Sequence, residues 1–175
     1  QDDAHIFCTE DQIQSEIINI MAFVESLMSK LDFKYKIFVS TKPEKAIGSD
    51  EFWDKATDAI KAALDTEKLE YEIDEGGGAF YGPKIDLKVL DAIGREWQCG
   101  TIQVDLNLPE RFGLEYVTEN NEKAQPVMLH RAILGSFERF IAIMTEHFAG
   151  EFPFWLAPQQ VIVIPISDSH LAYAK

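Results

Sequence analysis

Strand-like segments in this sequence outnumber helical ones and are not regularly interleaved with them, which points to an α+β fold on an antiparallel sheet flanked by helices. The first such segment, QDDAHIFC, opens the chain at Gln1. Alternate side chains of a strand share a face, so Gln1, Asp3 and His5 point one way and Asp2, Ala4 and Ile6 the other. An amide, a carboxylate and an imidazole in a row form a binding wall. Domains rarely begin inside their own binding wall, so a fragment of a larger unit is expected.

A chain of 175 residues with 46% hydrophobic and 26% charged content is long enough for one ordinary core. No apolar run approaches the roughly 20 residues needed to span a membrane, and no signal-peptide pattern is present. Cys8 and Cys99 do not make a secreted disulfide framework, which fits a reducing, cytoplasmic setting. A net charge of −14 argues against this segment gripping a nucleic-acid backbone by itself.

Thr9 with Gln12 makes a capping box, and Ile13, Ile17, Ile20, Met21, Val24, Leu27, Met28 and Leu31 form one apolar face of a long helix. A strand follows at 35–40, then a Lys/Pro/Gly loop. A second helix starts near Asp50 with Trp53, Ile60 and Leu64 inside. Residues 71–91 read as strand, glycine loop, strand, and Ile93-Gly94 turns into a long strand over 95–108. Residues 109–125 read as a polar loop. A buried strand over 126–135 runs into a helix whose inner face is Phe137, Phe140, Ile141, Met144 and Phe148, with Gly150 at its end. EFPFWLAP (151–158) reads as a linker and QQVIVIPIS (159–167) as a fresh strand without partners. The chain thus divides into a unit over 1–153 and the start of another over 154–175.

Single residues carry little chemistry here. His5 and His130 read equally as core strand histidines, and their separation has no metal-ligand spacing. GGGAF could cradle a phosphate or serve as a hairpin loop. Arg139 lies one turn into a helix that follows Gly135 and a buried strand. A permanent cation there can reach a nucleotide's phosphates or pair with a helix neighbour.

Taken together, LHRAILGSFERF resembles the third signature motif of class II aminoacyl-tRNA synthetases, an apolar strand followed by Gly and a helix bearing Glu-Arg. QDDAHIFC, GAFYGPKID, WQCGTIQVDLNLPERF and PVMLHRAILGS, in that order, resemble the threonyl-tRNA synthetase family along nearly the whole chain. The resemblance implies a class II catalytic domain truncated at both ends, lacking the first motif, an upstream arginine, a zinc-binding cysteine and the N-terminal editing domains. Residues 154–175 would begin an anticodon-binding domain. It further implies ATP-dependent activation of L-threonine and its transfer to tRNA(Thr), by a homodimer when intact.

Carried over by motif, the Zn²⁺ ligands would be His5 and His130. Asp3 would take the threonine hydroxyl, Tyr81 the amino group, and Gln1 would help close the pocket. Gln98 and Thr101 would lie against the adenylate, Arg139 against the γ-phosphate of Mg²⁺-bound ATP, and Gln103 against the terminal adenosine of tRNA. Two other readings remain: a paralogue that binds an amino acid or a protein without charging tRNA, and a zinc hydrolase using Asp3, His5 and His130. Gln98 and Gln103 have opposite parity, yet both belong to the implied site. A bulge or strong twist near Gly100 is therefore expected. Both cysteines are expected to be free thiols that bind no metal.

Overall fold

A computed structural model describes residues 1–174. Six strands form the main sheet in the order β1 (Ala4–Cys8), β8 (Val127–Ala132), β5 (Glu96–Asp105), β4 (Lys84–Leu90), β2 (Tyr35–Ser40) and β3 (Glu72–Asp74). Every neighbouring pair is antiparallel except β2–β3, which is parallel. The antiparallel reading therefore holds for all but this edge. Asp74 needs only its carbonyl to reach Thr41 N (3.0 Å), and a short edge strand fits beside β2 in either sense.

One face of the sheet is apolar. Ile37, Val39, Ile85, Leu87, Val89, Ile102, Val104, Val127 and Leu129 are buried beneath α1 (Ile13–Lys30), α2 (Asp50–Thr66) and α4 (Phe137–His147) in one continuous core. The period-2 alternation of the strands puts these residues on a common side, and burying each large one contributes about 1.5–3 kcal/mol. The apolar stripe of α1 is buried as its spacing predicts, with Leu27 only partly covered. At its start Thr9 N donates to Gln12 Oε1 at 2.9 Å. Ser49 caps α2, accepting from Phe52 N at 3.2 Å, and Trp53, Ile60 and Leu64 face inward.

The inner face of α4 is rotated from the expected one. Phe140, Ile143 and Met144 are buried, whereas Phe137 and Ile141 are exposed. Leu134, Trp155 and Leu156 gather beside those two and form a shallow apolar hollow there in place of core. The helix stops where Ala149 and Gly150 both take positive φ, 50° and 82°.

Three further differences concern loops. The long strand ends at Asp105 instead of Leu108, because the Asp105 carboxylate accepts the N–H groups of Asn107 and Leu108 and starts the short helix α3 (Asn107–Arg111). The polar stretch after it holds a two-stranded ribbon, β6 (Tyr116–Val117) with β7 (Lys123–Ala124). Residues 159–167 form no strand, and Val161, Ile162, Val163, Ile164 and Ile166 stand exposed. An isolated strand has no ladder to satisfy its backbone. One helical turn, α5 (Leu171–Ala174), follows. No helix among the described residues is long and apolar enough to cross a membrane.

The β4–β5 turn is fixed by Asp91, whose buried carboxylate accepts from Ile93 N, Arg95 N, Arg95 Nε and Trp97 Nε1. Burial opposes its ionisation, but these donors outweigh it and hold the carboxyl well below the usual carboxylate range. Cys8 and Cys99 are both buried and free, as expected.

Candidate active-site face of the sheet

The second face of the sheet is polar, and its register builds a site. His5 pairs directly with His130 across β1 and β8. His130 pairs with Gln103 on β5, Gln103 with Lys84 on β4, and Lys84 with Ser40 on β2. Directly opposed residues project to the same side, so five strands contribute one polar row. The two histidine rings meet edge to face with centroids 4.9 Å apart. Two residues separated by most of the sequence are thus neighbours, as the resemblance implied.

Gln98, Thr101 and Gln103 all reach this face because β5 carries a bulge. Leu87 pairs with Gly100 and Lys88 with Gln98, leaving Cys99 without an opposite number and resetting the alternation. The expectation of a bulge or twist near Gly100 is met, with Cys99 as the extra residue. The network beneath is continuous. Gln98 Nε2 donates to Asp86 Oδ1 at 2.7 Å, and Ser40 Oγ (2.9 Å) and Lys84 Nζ (2.6 Å) both donate to Asp86 Oδ2. A buried carboxylate with three charged or polar donors is satisfied.

Tyr81 arrives from the glycine loop. Its hydroxyl donates to Gln103 Oε1, and its ring centroid lies 5.9 Å from that of His130. Burial, then the nearby Asp105 carboxylate, raises its pKa, so it stays a neutral donor. Gly82 makes the approach possible, since a Cβ there would stand 1.7 Å from Val104 O. A cleft of about 650 Å³ opens beside Tyr81, bounded by Ile47, Ser49, Phe52, Asn107 and Arg111.

At the other end of β5, Arg139 is held from two sides. Its N–H caps onto Ser136 Oγ at 3.2 Å, and its Nη1 donates to Gln98 O at 3.1 Å. Its guanidinium lies 6.0 Å over the Trp97 ring. The side chain remains exposed, with donors left for a ligand. Gln1 and Asp3 are exposed on the same alternation as His5.

Residues that the sequence reading passed over do much of the positioning. Asp2 faces away from the site, as its parity requires. Its carboxylate accepts from Ile133 N (2.9 Å) and Leu134 N (3.0 Å), and Arg131 Nη1 donates to its carbonyl at 3.1 Å. It therefore ties β1 to the turn between β8 and α4. Asp105 is the second, its Oδ2 lying 2.8 Å from His130 Nε2. Neither has a local sequence signal, because the groups they meet are distant in the chain.

As a metal half-site the pair fits in part. His5 and His130 offer two nitrogen donors, and Asp105 supplies the outer carboxylate that such histidines commonly have. Among the described residues no cluster of three or more His, Cys, Asp or Glu is arranged to hold a metal ion. Cys8 faces the core and is no candidate third donor.

Relatives of this arrangement are known. The chain is 65% identical over its whole length to a threonine–tRNA ligase of Nautilia profundicola and 66% identical to one of Campylobacter jejuni subsp. doylei. It spans 29% of the length of each of these curated relatives. The crystal structure of the RNA binding domain of threonyl-tRNA synthetase from Cryptosporidium parvum Iowa II superposes with a TM-score of 0.93 at 47% identity, over 99% of this chain and 44% of that one. The model of the class II tRNA synthetase core domain (G, H, P, S and T) matches residues 1–148, a range that takes in every strand of the site-bearing sheet. The chain belongs to the class II tRNA synthetase core-domain family.

Proposed function

We propose that this chain is part of the aminoacylation core of a threonine–tRNA ligase, which activates L-threonine with Mg²⁺-bound ATP and transfers it to tRNA(Thr). The observation that carries the reading is the cross-strand row His5–His130–Gln103, with Tyr81 over one end and Arg139 beyond the bulge. Amino-acid and nucleotide groups would then lie side by side on one rigid sheet, which is what an adenylate-forming reaction requires.

His5 and His130 would hold Zn²⁺ together with a third donor from outside residues 1–174. A zinc ion with an open position would take the amino and hydroxyl groups of threonine together, a chelate that valine cannot complete. Apolar contacts alone separate such near-isosteres by only about a hundredfold. Asp3 would accept from the threonine hydroxyl, Tyr81 would meet the amino group, and Gln1 would close the pocket. Gln98 and Thr101 would lie along the adenylate, and Gln103 would meet the terminal adenosine of the tRNA.

Activation is in-line attack of the threonine carboxylate on the α-phosphate, expelling pyrophosphate. An ionised carboxylate needs no general base, so the protein's task is alignment and charge neutralisation. Arg139 would supply a fixed cation at the γ-phosphate, preorganised by its bond to Gln98 O. The −14 charge is compatible with RNA work if other parts of the protein make most backbone contacts. Two buried free thiols suit a cytoplasmic enzyme, and by family likeness we place it there as a homodimer.

The test is threonine-dependent ATP–pyrophosphate exchange and tRNA charging by the native protein that contains these residues. Exchange with threonine, lost together with bound zinc in His130→Ala, is the expected result. Inertness with every amino acid would favour a non-catalytic paralogue, and zinc-dependent hydrolysis without exchange would favour a hydrolase.

A further inference from the structure

Asp105, the last residue of β5, is fully buried, and its two carboxylate oxygens serve different partners. Oδ1 accepts from the N–H of Asn107 at 2.7 Å and of Leu108 at 3.2 Å, while Oδ2 lies 2.8 Å from His130 Nε2. We propose that Asp105 is a positioning residue for His130: it fixes the imidazole proton on Nε2, leaves the Nδ1 lone pair free for a ligand, and couples that ring to α3. The inference rests on the reading of His130 as a site residue.

The chemistry follows from what each group can do. A carboxylate only accepts, so the imidazole nitrogen facing it must carry a proton. A neutral imidazole has one N–H, and with that proton on Nε2 the other nitrogen is a pure donor of electrons. The ring is further confined by His5 at 4.9 Å and Tyr81 at 5.9 Å between centroids. Outer carboxylates of this kind set both tautomer and ring orientation of metal-binding histidines, and their loss commonly lowers metal affinity about 10–100-fold.

Helix capping and tautomer control can be separated by one substitution. In Asp105→Asn a single acceptor oxygen remains. The two main-chain N–H groups of Asn107 and Leu108 claim it, which turns the amide's NH₂ toward His130. Nε2 can then only accept, so the proton moves to Nδ1 and blocks the free lone pair. The start of α3 stays capped. Asp105→Ala loses both functions.

The experiment uses the native protein containing residues 1–175, labelled with ring-¹⁵N histidine and stripped of metal, at about pH 8, where ordinary histidines are neutral. Long-range ¹H–¹⁵N spectra report the tautomer, and His130→Gln identifies the resonance. The expected result is Nε2–H in the wild type and Nδ1–H in Asp105→Asn. Zinc affinity, read by competition with a chromophoric chelator, should fall about 10–100-fold in the variant. Nδ1–H in the wild type overturns the proposal, and so does an identical tautomer in a folded Asp105→Asn. The wild-type spectrum alone decides if the variant does not fold. A native protein that binds no zinc yet shows the tautomer switch supports the role of Asp105 and overturns the zinc reading instead.

Discussion

Leu87 lies directly opposite Gly100 across β4 and β5, so closely that a Cβ at position 100 would stand 2.7 Å from Leu87 Cδ1 and 3.1 Å from Ile133 O. The missing side chain lets the bulge at Cys99 close onto its neighbours. That bulge in turn brings Gln98 to the same face as Gln103. Gly100→Ala should therefore cost about 1–3 kcal/mol by overpacking and shift Gln98 off Asp86. Chemical denaturation measures the first effect. A change below about 0.5 kcal/mol, within the usual range for neutral surface sites, would show that the sheet relaxes around the new methyl.

The bulge was legible because the resemblance assigns Gln98 and Gln103 to one site, and residues of opposite parity cannot share a face of a regular strand. The helices α1, α2 and α4 were legible from apolar spacing and caps, and the nearness of His5 to His130, though not their direct pairing, from the family resemblance. What escaped has a common physical cause. Helix α3 depends on Asp105 accepting backbone N–H groups at the end of a stretch that otherwise reads as strand running into loop. The face that α4 buries is set by which side meets the core, and Phe140, Ile143 and Met144 do so while Phe137 and Ile141 line a shallow hollow beside Trp155 and Leu156. Asp2 and Asp105 act on groups remote in sequence, which local patterns do not encode. An apolar run such as 159–167 shows β preference, but a strand exists only where a partner completes its ladder.

Asp2 is expected to matter both for stability and for Arg139. Asp2→Ala would leave the buried Ile133 N–H and its neighbour at Leu134 without their acceptor, a loss of about 1–3 kcal/mol. Asp2→Asn keeps one acceptor oxygen and should cost less. The freed turn leads straight into α4, so in the native protein the KM for ATP should rise while threonine binding changes less. Equal effects of both variants, or none on ATP, would mean that the contact does not set the turn.

The buried thiols predict an alkaline limit. Burial, with smaller contributions from Glu16 and Asp11, pushes the Cys8 thiol up from 9.0 to about 11, and burial likewise raises Cys99. A raised pKa means the folded state keeps its proton longer than the unfolded chain. The corresponding stability is complete below pH 9.0 and drains away as pH climbs toward about 11. Iodoacetamide at pH 8 should label both cysteines slowly in the native state and rapidly in denaturant. A Cys8→Ala, Cys99→Ala double variant should flatten the decline in stability over that interval; an unchanged slope would place its origin elsewhere.

Arg139 provides the sharpest test of the proposed nucleotide site. Its guanidinium is preset by Gln98 O at 3.1 Å and by the Trp97 ring, so little ordering remains to be done when a triphosphate arrives. In the native protein Arg139→Ala should raise the KM for ATP and lower kcat/KM for pyrophosphate exchange by about 10²–10³, the scale of losing one preorganised charge at a phosphoryl centre. Arg139→Lys should recover only part of this, because a lysine has no planar fork to hold Gln98 O and a phosphate oxygen together. Residues 1–175 alone, which among the described residues hold no cluster of three or more His, Cys, Asp or Glu arranged for a metal ion, should show no threonine-dependent exchange at all. Wild-type kinetics in Arg139→Ala would move the triphosphate off this end of β5. Enzyme-like exchange by residues 1–175 alone would show that His5, His130 and their neighbours suffice for the chemistry.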